Sequence, residues 1–303
     1  MIQTQMKSLL SVEYATLTLL WALVAAWGWE ETALSAAESN PPPQRDIEYA
    51  NIDGQSLGLD FYPSQTPGVS PLIVWIHGGA WRSGDKRNVP IKPLTEDGFA
   101  IASLNYRLSG TARFPAQVHD IKAGLRFLRS HAERFGIDPD RMVIAGASAG
   151  GHLAALVGVS DQVDELQSAE LGHPNTSTRV AAIISFYGAS NLETILDQST
   201  PDGLSVRQPA LKLLLGDLPS EKPELAHLAS PVAHVDPSDP PLLLIHGDQD
   251  PQMPINQSHE LQGVYERNEL PVGFHVVHGA AHGGAAFYDD ASLRRVADWL
   301  SQH

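Results

Sequence analysis

The sequence predicts an α/β fold with a mostly parallel central sheet, and two observations carry that prediction. Short apolar runs recur at 71–76, 100–105, 142–145, 180–186, 241–245 and 272–277. Continuous runs of that length suit strands buried on both faces, as the strands of a parallel sheet are. Helical patterns lie between them, and alternating strands and helices wind into a parallel sheet with helices on both of its faces.

The chain opens with residues 1–37, which do not fit that alternation. Lys7 precedes an uncharged stretch at 14–29 containing Leu19, Leu20, Trp21, Leu23 and Val24, and small residues follow at Ser35, Ala36 and Ala37. A basic start, an apolar middle and a small-residue exit describe a secretory signal peptide. An uncleaved membrane anchor is the alternative reading, although 14–29 is shorter than the ~20 residues a spanning helix needs. The expected location is therefore outside the cytoplasm, periplasmic or extracellular, with attachment to the membrane only if the leader stays. Residues 38–45 read as a linker, with Pro41, Pro42 and Pro43 in succession, and 46–303 as the α/β domain.

Within that domain, 46–52 and 56–62 flank Asp53-Gly54, a hairpin signal. Val118, Ile121, Leu125 and Leu128 share one face of a helix that starts near Pro115 and ends by Gly136. Leu293, Val296, Ala297 and Leu300 do the same for a closing helix. Residues 160–178 are polar and loop-like. The segment 192–234 carries Pro201, Pro209, Pro219, Pro223 and Pro231 around the apolar stretch 211–215. It is too long for a plain connection and reads as a small helical insertion over one end of the sheet.

Composition narrows the chemistry. The 303 residues include no cysteine, which excludes a disulfide framework, a thiolate metal site and a cysteine nucleophile. A formal charge of −15 repels a phosphate backbone, so no nucleic-acid partner is expected, nor a polyanionic substrate. No H-E-x-x-H, dinucleotide or Walker pattern is present, and the expectation is no metal and no cofactor.

Four motifs follow predicted strands. Gly146-Ala147-Ser148-Ala149-Gly150 matches G-x-S-x-G between an apolar strand and a helix-forming stretch. A nucleophile there sits on a sharp turn whose close neighbours must be small. His77-Gly78-Gly79-Ala80-Trp81 follows the run 71–76, and its small residues let backbone N–H groups converge on an oxyanion. His246-Gly247-Asp248-Gln249-Asp250-Pro251 and His278-Gly279-Ala280-Ala281-His282-Gly283-Gly284 follow the last two runs. The order Ser, Asp, His is that of the α/β-hydrolases, whereas chymotrypsin-type and subtilisin-type orders place His before Ser.

These motifs, with Asn105-Tyr106-Arg107-Leu108, Phe114-Pro115-Ala116 and Ser230-Pro231-Val232, resemble α/β-hydrolase esterases of the bacterial feruloyl esterase/acetyl esterase group. That group lies beside the hormone-sensitive-lipase-like carboxylesterases and the arylformamidases. The resemblance implies Ser148 as nucleophile, Asp250 as acid and His282 as base, with Gly79, Ala80 and Ala149 as oxyanion-hole donors. Ala80 stands where the lipase-like relatives have a third glycine. Asp248 is the rival acid, though its place suits a turn aspartate. His275 and His278 lie on or near the last strand, and His282 lies in the loop beyond it. His152, one helical turn after Ser148, reads as structural, as does an Arg107–Asp120 ion pair. Trp81 either lines the substrate pocket or packs.

The expected function is a serine carboxylic-ester hydrolase working through an acyl-enzyme. Its substrates would be short acyl, acetyl or feruloyl esters of plant polysaccharide, so its partner is a small-molecule or oligosaccharide ester. An arylformamidase-type amide hydrolase and a catalytically inactive hydrolase-fold binding module are the alternatives. The oligomeric state is left open.

Overall fold

In the computed structural model, residues 41–303 are described; the expected leader 1–37 and the first residues of the expected linker, 38–40, lie outside them. Eight strands form one sheet in the order β1-β2-β4-β3-β5-β6-β7-β8. They are β1 (Gln44–Ile52), β2 (Gln55–Tyr62), β3 (Ser70–Ile76), β4 (Ala100–Leu104), β5 (Ile137–Ala147), β6 (Ala182–Phe186), β7 (Leu242–Gly247) and β8 (Val272–Val277). The first strand takes in Gln44 and Arg45, two residues assigned to the linker from sequence. Arg45 is held there by Asp60, at 2.7 Å. β1 and β2 form the antiparallel hairpin that Asp53-Gly54 predicts, and β2 pairs antiparallel with β4. All later pairings are parallel.

Seven helices are described: α1 (Ala116–Ser130), α2 (Ala132–Phe135), α3 (Ala149–Gly158), α4 (Pro201–Leu215), α5 (Pro223–Leu228), α6 (Asn256–Arg267) and α7 (Asp290–Gln302). The pleat sends alternate residues of β3 to opposite faces. Leu72, Val74 and Ile76 join α1, α3 and α6 in one core, while Ile73 and Trp75 join α7 in the other. The predicted face of α1 holds, since Val118, Ile121, Leu125 and Leu128 are all fully buried. Each such side chain stabilises the fold by about 1.5–3 kcal/mol.

Three elements depart from the sequence reading. β5 runs seven residues either side of the expected 142–145 core taken together, because polar residues 138–141 continue the extended chain beyond the apolar run. β8 is an edge strand paired only with β7, and its six residues are half-buried rather than buried on both faces. α6 has no counterpart in the sequence reading; it carries few apolar residues and buries Gln257 and Ser258 beside Leu261 and Tyr265.

The segment 192–234 contains α4 and α5 with short 3₁₀ turns. Its two ends are tied together by Leu192 N donating to Ser230 Oγ at 2.9 Å. Thr200 caps α4 by accepting from Gly203 N, and its hydroxyl donates to Pro251 O at 2.7 Å. That last bond fastens α4 to the loop that carries Asp250. Among the described residues no helix is long and apolar enough to cross a membrane.

Candidate active site

Ser148 sits between β5 and α3 with φ 55° and ψ −117°, a left-handed conformation that side chains rarely adopt. The flanking glycines are forced by close approach. A Cβ on Gly146 would lie 2.3 Å from Gly150 O, and one on Gly150 would lie 2.0 Å from Ile76 O. Ser148 N donates to Phe186 O at 2.8 Å, which pins the elbow to β6. The strain is thus held by backbone on both sides of the turn.

His282 reaches the same point from the loop after β8. Its Nε2 lies 2.8 Å from Ser148 Oγ, and its Nδ1 lies 2.6 Å from Asp250 Oδ2. The Asp250 side chain is fully buried, and its Oδ1 accepts from Gln252 N and Met253 N, both at 2.8 Å. Gln252 and Met253 therefore hold the Asp250 carboxylate through their backbone. Burial alone would raise the Asp250 pKa. Hydrogen bonds from His246 and His282, the His282 charge and the Met253 N–H outweigh it and hold the carboxylate well below its usual range.

His246 explains part of that hold. Ser258 Oγ lies 2.7 Å from its Nδ1, while Nε2 faces Met253 O at 3.0 Å and Asp250 Oδ2 at 3.4 Å. The sequence contained His246 in a recognisable motif, but its link to Ser258 on α6 is tertiary. Asp248 faces elsewhere: it meets His278 Nδ1 at 2.8 Å and accepts from Gly279 N at 2.7 Å. It closes the loop instead of orienting His282.

The oxyanion loop follows β3. Gly79 has φ 113°, and a Cβ on it would lie 2.1 Å from Ser83 O, so glycine is required. Ala80 and Trp81 continue in left-handed geometry, with φ 51° and 59°. Arg82 N and Ser83 N both donate back to Gly79 O, at 3.1 and 3.0 Å. Among the described residues the N–H groups of Gly79, Ala80 and Ala149 meet no acceptor, and all three residues line the cleft that holds Ser148 and His282. Donors left open in that way are what a developing oxyanion needs.

Trp81 does both things the sequence left open. It lines the cleft, and it is buried, with Nε1 donating to His152 Nδ1 at 3.0 Å. His152 must then carry its proton on Nε2, which donates to Ala229 O at 2.7 Å. Burial lowers its pKa to about 4, so it stays neutral near pH 7 and keeps that tautomer. His152 thus joins the loop after β3 to Ala229, beyond α5. Arg107 and Asp120 form a buried pair away from the cleft, with Nη2 to Oδ1 at 2.7 Å.

A family model described as BD-FAE, bifunctional feruloyl/acetyl esterase, matches residues 59–264 of this chain. The chain belongs to the BD-FAE family. It is a family of α/β-hydrolase carboxylic ester hydrolases of the serine type. The match spans Ser148 and Asp250 and ends before His282, whose place rests on the geometry above. LipM of Mycobacterium tuberculosis, named a probable carboxylic ester hydrolase, is 30% identical over 249 residues, covering 76% of this chain and 56% of LipM. The chain thus spans little more than half the length of that relative.

Among solved structures, a truncated carbohydrate esterase from gut microbiota is 31% identical with a TM-score of 0.78, covering 88% of this chain and 98% of its own. A bifunctional GH43-CE protein of Bacteroides eggerthii is 29% identical with a TM-score of 0.76, covering 86% of this chain and 35% of its own. The α/β-hydrolase fold read from the motifs is therefore the fold of this BD-FAE chain.

The cleft of this BD-FAE member has a volume of about 850 Å³. Several of its walls carried no sequence signal. Tyr187, after β6, stands edge-on to the His282 ring at 4.9 Å and hydrogen-bonds Tyr288 at 2.6 Å between hydroxyls. Val206, Arg207 and Ala210 come from α4. Among the described residues no cluster of three or more His, Asp or Glu is placed to hold a metal ion.

Proposed function

We propose that this chain hydrolyses acetyl or feruloyl esters of carbohydrate through an acyl-enzyme on Ser148. The observation that carries the reading is the unbroken relay from Ser148 Oγ through His282 to the buried Asp250, beside three N–H groups with no acceptor among the described residues. His282 Nε2 takes the Ser148 proton as Oγ attacks the ester carbonyl. Asp250 holds the ring by its Nδ1 and stabilises the imidazolium that forms. The tetrahedral oxyanion is received by Gly79, Ala80 and Ala149, where one such donor is worth about 10²–10³ in rate. The alcohol leaves with the proton from His282, and water cleaves the acyl-enzyme by the same route in reverse.

Carbohydrate as the alcohol is supported by the structural relative from gut microbiota, which is a carbohydrate esterase. Val206 and Ala210 of α4 bound the cleft and favour short or aromatic acyl groups over long chains. Action outside the cytoplasm, suggested by the leader, belongs to the same proposal.

The test is a substrate panel of acetylated xylooligosaccharide, methyl ferulate, p-nitrophenyl acetate to decanoate, and N-formylkynurenine. Hydrolysis of the first two, with acetate ahead of decanoate, is the expected result. N-formylkynurenine preferred over every ester would make the chain an arylformamidase. No turnover of any member, with no labelling by a fluorophosphonate, would make it a binding module.

A further inference from the structure

Arg207 brings a positive charge into the cleft that the proposed chemistry does not use. It stands on α4 and is 5% exposed. Its Nη1 donates to the Met253 sulfur at 3.3 Å, a weak acceptor. Its buried Nε has no hydrogen-bond partner. Among the described residues no carboxylate lies within ion-pair distance of it. Asp250 is the anion whose field reaches Arg207, yet both oxygens of that carboxylate are already taken by His282, Gln252 N and Met253 N. The remaining charged groups lining the cleft are Arg82, which is exposed, and Asp289, which caps α7 by accepting from Ser292 N at 2.8 Å.

A buried cation without an anion is costly, and folds keep such groups where a ligand completes them. Burial lowers the Arg207 pKa to about 10, which leaves the guanidinium charged at neutral pH. Its planar fork suits a carboxylate, which accepts two parallel N–H bonds. Met253, unbranched and adaptable, is the neighbour that gives way as a carboxylate approaches.

We propose that Arg207 binds a carboxylate carried by the ester substrate, so that the preferred substrate is a monoanionic ester. This rests on the ester-hydrolase reading of Ser148 and narrows its substrate class. The carboxylate has two possible sources: the acyl half, as in a half-ester of a dicarboxylic acid, or the alcohol half, as in an acetylated uronic acid. The acidic surface does not oppose either. Surface charge is screened beyond about 8 Å at physiological salt, whereas contact with Arg207 is short-range and partly desolvated.

The experiment measures kcat and KM on the full chain for two matched pairs. One is p-nitrophenyl hemiglutarate against p-nitrophenyl pentanoate; the other is an acetylated methyl glucuronoside against the same acetylated methyl glucoside. In one pair the wild type should prefer the anionic member by about tenfold or more in kcat/KM, the scale of a charged hydrogen bond. Arg207→Met should abolish that preference mainly through KM, and Arg207→Lys should restore part of it. The pair that responds identifies which half carries the carboxylate. No anionic preference in either pair overturns the proposal even if no variant folds, as does a preference that Arg207→Met leaves unchanged. Turnover of the neutral esters separates those failures from failure of the ester-hydrolase reading itself, in which no member of either pair is hydrolysed.

Discussion

On the floor of the cleft the Ser148, His282 and Asp250 side chains are all partnered, whereas on the wall supplied by α4 the Arg207 guanidinium meets, among the described residues, one sulfur. The floor stands on loops leaving β5, β7 and β8, at the carboxyl ends of parallel strands. The wall comes from the segment 192–234, fastened to the floor by the Thr200–Pro251 bond. Full partnering holds the floor in one geometry and suits it to one reaction. Incomplete partnering leaves the wall a charge for a ligand to meet. On the two proposals above, chemistry and selectivity are separated between the sheet and the segment 192–234.

The largest effect should come from breaking the floor. Asp250→Asn is expected to lower kcat by about 10³–10⁴, because the amide favours the wrong His282 tautomer. Asp248→Asn, which only loosens the loop, should cost less than about tenfold; a larger loss at Asp248 would reverse the assignment. Stability should follow the same residue with pH. The folded Asp250 pKa is depressed, so its contribution is complete above an unfolded value of about 4 and is lost as pH falls through the folded value. The melting-temperature gap between wild type and Asp250→Asn should hold from pH 5 to 7 and narrow in stronger acid.

A smaller effect sharpens the contrast between two arginines. Arg107 has a fully buried carboxylate as partner, and Arg207 has none among the described residues. Asp120→Asn strands the Arg107 charge and should destabilise by about 3 kcal/mol, the lower end for a broken buried pair. Arg207→Met removes a charge already stranded and should be neutral or stabilising by about 1 kcal/mol, as substitutions at binding sites often are. Denaturant unfolding of both variants checks this; equal destabilisation would show that Arg207 is structural.

The floor could be read from sequence because its demands are local. A strained serine between two forced glycines writes itself as G-x-S-x-G, and the loops after the strands carry their own histidine and aspartate patterns. Strands β3, β4, β6 and β7 were visible for a similar reason, as short, mostly apolar runs. The wall is tertiary. Nothing around Arg207 in the sequence distinguishes it from a surface arginine, and only the fold shows that it is buried without a carboxylate. Tyr187 and Tyr288 meet across 101 residues of chain. α6 escaped notice because it buries glutamine and serine, whose hydrogen bonds to Ser190, Asn191 and His246 replace the apolar stripe that marks α1.

The central claim is that Ser148 carries the acyl group. Intact-mass and peptide-mapping analysis after treatment with a fluorophosphonate tests it directly, alongside the rate of Ser148→Ala on p-nitrophenyl acetate. A single adduct on Ser148, absent from Ser148→Ala, with kcat lowered by about 10⁴ or more is the predicted result. An adduct on another residue, or an undiminished rate in Ser148→Ala, would contradict it.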